Sequence, residues 1–229
     1  MDGTYLTALR TGAGSGVATD LLARPDAETV AIFGAGVQAR TQLLAVAAVR
    51  PIRRVHVYAP RGESVHAMIA ELRPRLDPAI AWHAAATPAE AVRDADVVCA
   101  ATTSATPVFN GADLKPGAHI NAVGSYQPAV REIDGETLRR AHRIVVDSRE
   151  GAMAEAGDLL IALAQGAIRP DDIHAEIGEI AAGLKPGRER ETDITFFKSV
   201  GTAAQDAAVA QAVYQQALQE NVGLEFEPG

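Results

Sequence analysis

From residue 29 onward, short β-branched runs alternate with segments of helical spacing. Thr29-Val-Ala-Ile-Phe33, Arg54-Val-His-Val-Tyr58, Ala79-Ile-Ala-Trp-His83, Asp96-Val-Val-Cys-Ala100, His119-Ile-Asn-Ala-Val123 and Arg143-Ile-Val-Val-Asp147 read as strands. Gly36 to Val49 and Ser64 to Leu76 are rich in Ala and Leu and read as helices. Pro88 to Ala95 predicts a shorter helix, with Thr87 as N-cap and Glu90 as the reciprocal partner of a capping box. Pro107 and the turn Leu114-Lys-Pro-Gly117 punctuate the later crossover. Such alternation predicts a parallel sheet covered on both faces, a doubly wound α/β unit. The two ends stand outside it. Asp2 to Thr11 reads as a strand and leads through Gly12-Ala-Gly-Ser-Gly16 into an Ala/Leu helix. Asp193 to Gly201 precedes a helical stretch, Ala203 to Glu220, with apolar residues at 203, 207, 210, 213, 214, 217 and 218. No internal repeat or low-complexity linker interrupts the chain.

Chemistry enters at Gly34-Ala-Gly-Val-Gln-Ala39, which directly follows an apolar strand and opens a helix. In that context Gly34 permits the tight turn, Gly36 lets the backbone approach a pyrophosphate, and Ala39 still allows close helix-strand packing. Val37 and Gln38 fall in the first helical turn, whose free N–H groups and positive dipole end suit phosphates. The segment from Thr29 to Arg40 is therefore the expected dinucleotide-binding turn of a Rossmann domain; a glycine turn needed only for packing is the plainer alternative. The end of the second strand sets cofactor choice, because an acid there hydrogen-bonds the ribose 2′-hydroxyl of NAD. Here the sequence is Val57-Tyr-Ala-Pro-Arg61, without an acid, so Arg61 is free to pair with a 2′-phosphate and NADP is favoured over NAD. The competing reading of Arg61 is a solvated surface arginine.

Composition narrows the partners. The chain has 229 residues, 48% of them hydrophobic, which is enough for an ordinary core. Its formal net charge of −8, without a clustered Lys/Arg stretch, argues against a nucleic-acid backbone as partner. Histidines 56, 66, 83, 119, 142 and 174 show no metal-ligand spacing, so no metal is expected. Cys99 lies in an apolar run and is expected buried on a strand. No apolar run approaches a membrane span and no secretory pattern opens the chain, so a soluble protein of the cytoplasm is expected.

Several blocks together resemble the ornithine cyclodeaminase/mu-crystallin family, whose members include reductases of cyclic imines and an archaeal alanine dehydrogenase. They are Leu6-Thr-Ala-Leu-Arg-Thr-Gly-Ala13, the Gly34 turn, Asp96-Val-Val-Cys-Ala-Ala-Thr-Thr-Ser104 with Pro107, Leu114-Lys-Pro-Gly-Ala-His-Ile-Asn-Ala-Val-Gly124, Gly157-Asp158 and Phe197-Lys-Ser-Val-Gly201. The resemblance implies a Rossmann-type doubly wound parallel sheet at 19–185. Residues 1–18 and 186–229 would then be the remnant of a second, substrate and dimerisation domain. It also implies that Arg10, with Thr11 beside it, binds the substrate carboxylate. Thr102, Thr103, Ser104 and Val123 would line the dinucleotide crevice, and Ser199, Val200 and Gly201 would close over the nicotinamide.

The position that separates the family's chemistries follows Gly124. Cyclodeaminase-type members carry an aspartate two residues after that glycine; this chain has Gly124-Ser-Tyr-Gln-Pro128, with Tyr126 in its place. A phenol with an ordinary pKa near ~10 is a poor base at neutral pH. Ser125 or Tyr126 would instead hydrogen-bond the substrate, with packing the competing role for Tyr126. The expected activity is NAD(P)H-dependent reduction of a small cyclic imino acid of the pyrroline- or piperideine-2-carboxylate type, in a homodimer. The alternatives are an ornithine cyclodeaminase using NAD catalytically, or a dinucleotide-binding protein without turnover. The family's N-terminal portion, with a second arginine and a lysine used in proton transfer, has no counterpart here, and Lys115, Lys185 and Lys198 do not fall at matching positions. A half-built second domain would leave the edge from Tyr5 to Leu9 uncovered and prone to association.

Overall fold

The computed structural model describes residues 2–224. Met1 and residues 225–229, which the divisions 1–18 and 186–229 include, lie outside them. Eight strands form one parallel sheet: β1 (Thr29–Phe33), β2 (Arg54–Tyr58), β3 (Ala81–Ala84), β4 (Val97–Ala100), β5 (His119–Ala122), β6 (Ala141–Val146), β7 (Ile173–Glu176) and β8 (Ile194–Lys198). Their spatial order is β3-β2-β1-β4-β5-β8-β6-β7. The order reverses between β1 and β4, the switch point at which ligands of open α/β sheets bind. β1, β4, β5 and β8 are buried on both faces; β1 and β4 are accordingly near-continuous apolar runs, whereas β5 and β8 carry buried polar residues, His119, Asn121, Thr195 and Lys198. All six expected strands are present, β3 starting two residues late. β7 escaped because four alternating residues, Ile-His-Ala-Glu, give too little pattern. β8, taken from the stretch 186–229, is wedged between β5 and β6 in the same sheet.

Helices α2 (Val37–Val49) and α3 (Gly62–Leu72) cover one face of β1, β2 and β4; α4 (Pro88–Val92), α5 (Gly135–Arg140), α6 (Arg149–Glu155) and α7 (Gly157–Ala164) cover the other. Thr87 caps α4 as expected, accepting from the Glu90 amide at 3.2 Å. Glu90 does not complete the box on Thr87: its carboxylate accepts the Ala86 amide at 2.7 Å and meets His83 at 2.6 Å.

The N-terminal segment corrects the sequence reading. Asp2 to Thr11 is not a strand; one helix, α1, runs unbroken over Gly3–Leu22. Asp2 starts it by accepting the amides of Thr4 and Tyr5. The glycines expected to lead from strand to helix lie inside it, each costing about 1 kcal/mol in a helix interior; Gly12 and Gly16 face Thr41 and Ala45 of α2, and Gly14 faces Gln205. A Cβ on Gly12 would stand 2.8 Å from Thr41 Cβ and O, so only glycine lets the two helices meet. No uncovered strand edge exists at Tyr5 to Leu9; what is exposed there is a helix face, with Tyr5 64% accessible. After α8 (Ile177–Ala181), the C-terminal α9 (Ala203–Glu220) is helical as expected, but none of its residues is buried, and it touches the rest through α1.

A buried polar string fastens α1 to the sheet. Asn121 donates to Thr19 Oγ1 at 2.9 Å and stands 3.1 Å from His119 Nε2, whose other ring nitrogen meets Thr195 Oγ1 at 2.9 Å. Thr195 in turn donates to the Leu22 carbonyl at 3.0 Å. Burial, together with the nearby charge of Arg188, pushes the His119 imidazole from 6.5 down to about 3, so it is neutral in the fold. Between those values the unfolded chain takes up a proton that the folded chain refuses. Stability is therefore full above pH 6.5 and falls as the pH drops toward about 3. Denaturant melts at pH 7 and pH 5 should show this loss, and His119→Gln should flatten it; an equally steep fall in that variant contradicts the assignment. Cys99, beside Asn121 on β4, is fully buried as expected, its thiol pushed up to about 12 by burial.

Candidate active site

The Gly34 turn has the form a pyrophosphate cradle requires. Gly34 sits at φ +103°, and a Cβ there would lie 2.5 Å from the Ala101 carbonyl oxygen, so any side chain is excluded twice over. Gly36 is the N-cap of α2; no side chain caps the helix, and a Cβ at Gly36 would meet no heavy atom within 4 Å. The first-turn amides of Val37, Gln38 and Ala39 are left without a side-chain cap at the positive end of a 13-residue helix, with open space beside Gly36. Ala39 is fully buried against the sheet, as the third small position of the fingerprint should be. One turn on, Arg40 braces the loop, donating to the carbonyls of Ala35 (2.6 Å) and Gly36 (3.0 Å) while pairing with Glu71 at 2.7 Å. Donors, charge and room all fit a dinucleotide diphosphate.

At the switch point, a cavity of about 390 Å³ opens beyond the carboxyl ends of β1, β2 and β4, lined by Gly34, Tyr58, Pro60, Thr102, Thr103 and Ser104 among others. Arg61 begins α3, is exposed, and has no side-chain hydrogen bond or ion pair among the described residues. No acid stands between Tyr58 and Arg61.

Two residues that the sequence did not single out hold this crevice together. Glu132 accepts the Thr102 amide (3.0 Å) and hydroxyl (2.9 Å) with one oxygen and the Gly124 amide (2.6 Å) with the other, tying the loop after β4 to the loop after β5, which carries Val123. Asp147, at the end of β6, accepts the Ser199 hydroxyl and the amides of Val200 and Gly201. Beneath Glu132, Asp158 receives the amides of Glu132 and Ile133 and pairs with Lys198 at 2.7 Å, both side chains being wholly buried. Lys198 also donates to the Ser125 carbonyl at 2.5 Å. Burial pushes the Glu132 carboxyl up, with Lys198 pulling the other way. A lysine closing the apolar run Ile194-Thr-Phe-Phe-Lys198 was the available signal, since a buried cation demands a buried acid.

The chain ends bring Arg10 to the segment Ser199–Gly201. The Arg10 side chain is 13% exposed, its Nε donating to Asp206 at 3.2 Å and one terminal nitrogen to Gln205 at 3.4 Å. Gly201, at φ +96°, lies flat against it: a Cβ there would fall 2.5–2.8 Å from the guanidinium atoms. Thr11 is buried and donates its hydroxyl to the Thr7 carbonyl within α1. Of the two residues after Gly124, Ser125 is buried and donates to the Val130 carbonyl at 2.7 Å, whereas Tyr126 is 61% exposed and packs into no core. Lys115 is remote from the crevice, pairing with Asp96 at the opposite end of β4, and Lys185 pairs with Glu179. Among the described residues no helix is long and apolar enough to cross a membrane.

The model of the ornithine cyclodeaminase/mu-crystallin family matches residues 1–221. The chain belongs to that family. The Delta(1)-pyrroline-2-carboxylate reductase of Bacillus cereus is 42% identical over 99% of this chain and 69% of its own length. Among solved structures, the Thermococcus litoralis Delta(1)-pyrroline-2-carboxylate reductase in complex with NADH and L-proline superposes with a TM-score of 0.94 at 44% identity, again over 99% of this chain and 69% of that one. An archaeal alanine dehydrogenase dimer with bound NAD gives 0.90 at 40% identity, with the same coverage of both chains.

Proposed function

We propose that the chain reduces a small cyclic imino acid of the pyrroline- or piperideine-2-carboxylate type to the corresponding amino acid, using NAD(P)H. The observation that carries the reading is the junction of Arg10 with Ser199–Gly201, which leaves β8 at the same carboxyl end of the parallel sheet as the Gly34 turn and the Thr102–Ser104 loop, a cation for a carboxylate beside the segment expected to close over the nicotinamide. Names of the relatives point the same way, two carrying pyrroline-2-carboxylate reduction and one a bound NADH with L-proline.

In this reading Gly34, Gly36, Val37, Gln38 and Ala39 hold the diphosphate, and Thr102, Thr103, Ser104 and Val123 line the crevice. The reduced nicotinamide, when bound, would supply a hydride to the carbon of the N-protonated C=N bond, whose nitrogen already carries the proton that the product amine keeps. Arg10 fixes the carboxylate, and with it the face of the ring that is presented. The Ser199–Gly201 segment excludes water from that face. Tyr126, exposed and carrying a hydroxyl where a carboxylate would stand, is suited to hydrogen-bond the substrate, which favours reduction of a pre-formed imine over cyclodeamination. The working unit is a homodimer of the cytoplasm.

NADPH is the preferred cofactor, on the strength of the acid-free end of β2 and of Arg61, which has no partner among the described residues. Arg61→Ala should weaken NADPH binding about tenfold while moving NADH little; equal effects on both in a fluorescence titration contradict the preference. For the reaction itself, NADPH carrying deuterium at the transferable C4 position should convert pyrroline-2-carboxylate to proline with one deuterium on Cα. Proline formed without the label would rule out direct hydride transfer.

A further inference from the structure

Deepening that reading, and resting on it, we propose that Asp147 is the positioning residue that sets the substrate-binding pose of Arg10. Asp147 follows β6 directly, and its amide continues the ladder to the Lys198 carbonyl at 3.1 Å, so its Cα is fixed by the sheet. From that anchor one carboxylate oxygen gathers three donors of the neighbouring strand end: the Ser199 hydroxyl at 2.7 Å, the Val200 amide at 2.9 Å and the Gly201 amide at 2.6 Å. The other oxygen accepts the Ser148 amide at 2.8 Å. Charge-assisted bonds to a single ionised oxygen are short and strong, and here they hold three consecutive residues in one conformation. The conformation is an uncommon one, since Gly201 is left at φ +96°.

That turn decides where Arg10 can lie. Gly201 presents a bare Cα to the guanidinium, and beyond it Thr202 caps α9 through the Gln205 amide. Gln205 Oε1 receives both the Thr202 amide (3.3 Å) and an Arg10 terminal nitrogen (3.4 Å), and Asp206 receives Arg10 Nε at 3.2 Å. Arg10 is thus held on one edge by the first turn of α9 and against its flat face by Gly201. The Nη2 nitrogen makes no hydrogen bond among the described residues and is left for an incoming carboxylate. Every one of these contacts depends on the turn that Asp147 gathers. Asp147 itself makes no contact with Arg10, so it acts through the backbone of residues 199–201.

The test is Asp147→Asn. The amide keeps the size of the side chain but offers one oxygen to donors that now need two, so an N–H must face an N–H. The KM for pyrroline-2-carboxylate should rise about tenfold or more, with the NADPH dissociation constant changed less than about threefold. An activity-independent readout is the ¹⁵N NMR signal of Arg10 Nε–H. It should be protected in the unaltered protein and lost in Asp147→Asn, while the Nε–H of Arg50, buried and donating to the Arg24 carbonyl at 2.8 Å, is retained. Ser199→Ala, which removes one donor and leaves both amides in place, should shift KM in the same direction by a smaller factor. Retention of the Arg10 signal and of KM in Asp147→Asn, or loss of the Arg10 and Arg50 signals together, overturns the proposal. Should the unaltered protein fail to reduce the imine, the functional reading falls, and the Arg10 signal alone still decides whether Asp147 positions it.

Discussion

Replacing Lys198 with methionine should cost about 3–5 kcal/mol of stability, the toll of leaving a buried charge without its partner. For a chain of this length that corresponds to a fall in melting temperature of roughly 10 °C. Asp158 is wholly buried, and its one cationic partner among the described residues is Lys198 at 2.7 Å. Without the lysine, Asp158 and the neighbouring Glu132 carboxyl face each other across a dry interior, and Glu132 is already pushed toward its protonated form by burial. The double variant Lys198→Met with Asp158→Asn should recover much of the loss, because asparagine removes the orphan charge and still accepts the amides of Glu132 and Ile133. Thermal melts of the three proteins provide the check. A single variant as stable as the parent would mean that the pair is not the buried ion pair described.

Arg10→Ala carries the largest expected effect on catalysis. A charge-assisted hydrogen bond contributes about 1.5–3 kcal/mol, so losing the Nη2 contact to the carboxylate should lower kcat/KM by about 10- to 100-fold. Stability should change little, because Asp206, the carboxylate left behind, is half exposed and readily rehydrated. NADPH affinity should persist, since the cradle at Gly34 and Gly36 contains no part of Arg10. Steady-state kinetics beside a dinucleotide titration separates the two; parallel losses in both would place Arg10 in the cofactor site instead.

How far the sequence foretold this depended on how local each determinant is. The Gly34 turn was legible because its meaning lies in one uninterrupted stretch, strand then glycine then helix, and the turn geometry bears on nothing distant. β8 was half legible: Ile194-Thr-Phe-Phe-Lys198 reads as a strand, but its insertion between β5 and β6 is a fact of pairing that no local pattern encodes. α1 was misread because Tyr5, Thr7 and Leu9 alternate over a few residues and the three glycines look like a break. The reason for glycine at position 12 sits on α2, in the close approach of Thr41. Glu132 and Asp147 were invisible for the same cause. Glu132 sits in the polar stretch Arg131-Glu-Ile-Asp134 and Asp147 closes an apolar run, and the role of each exists only through donors of other loops, 8 to 54 residues away.

Hydride transfer to an imine, without cyclisation of an amino acid, is the reaction expected of this chain. Its most direct test is the absorbance of NADPH at 340 nm with pyrroline-2-carboxylate, run beside an ammonia assay with ornithine and NAD. The expected result is oxidation of NADPH matched by proline, with no ammonia from ornithine; ammonia release without imine-dependent NADPH oxidation would contradict it.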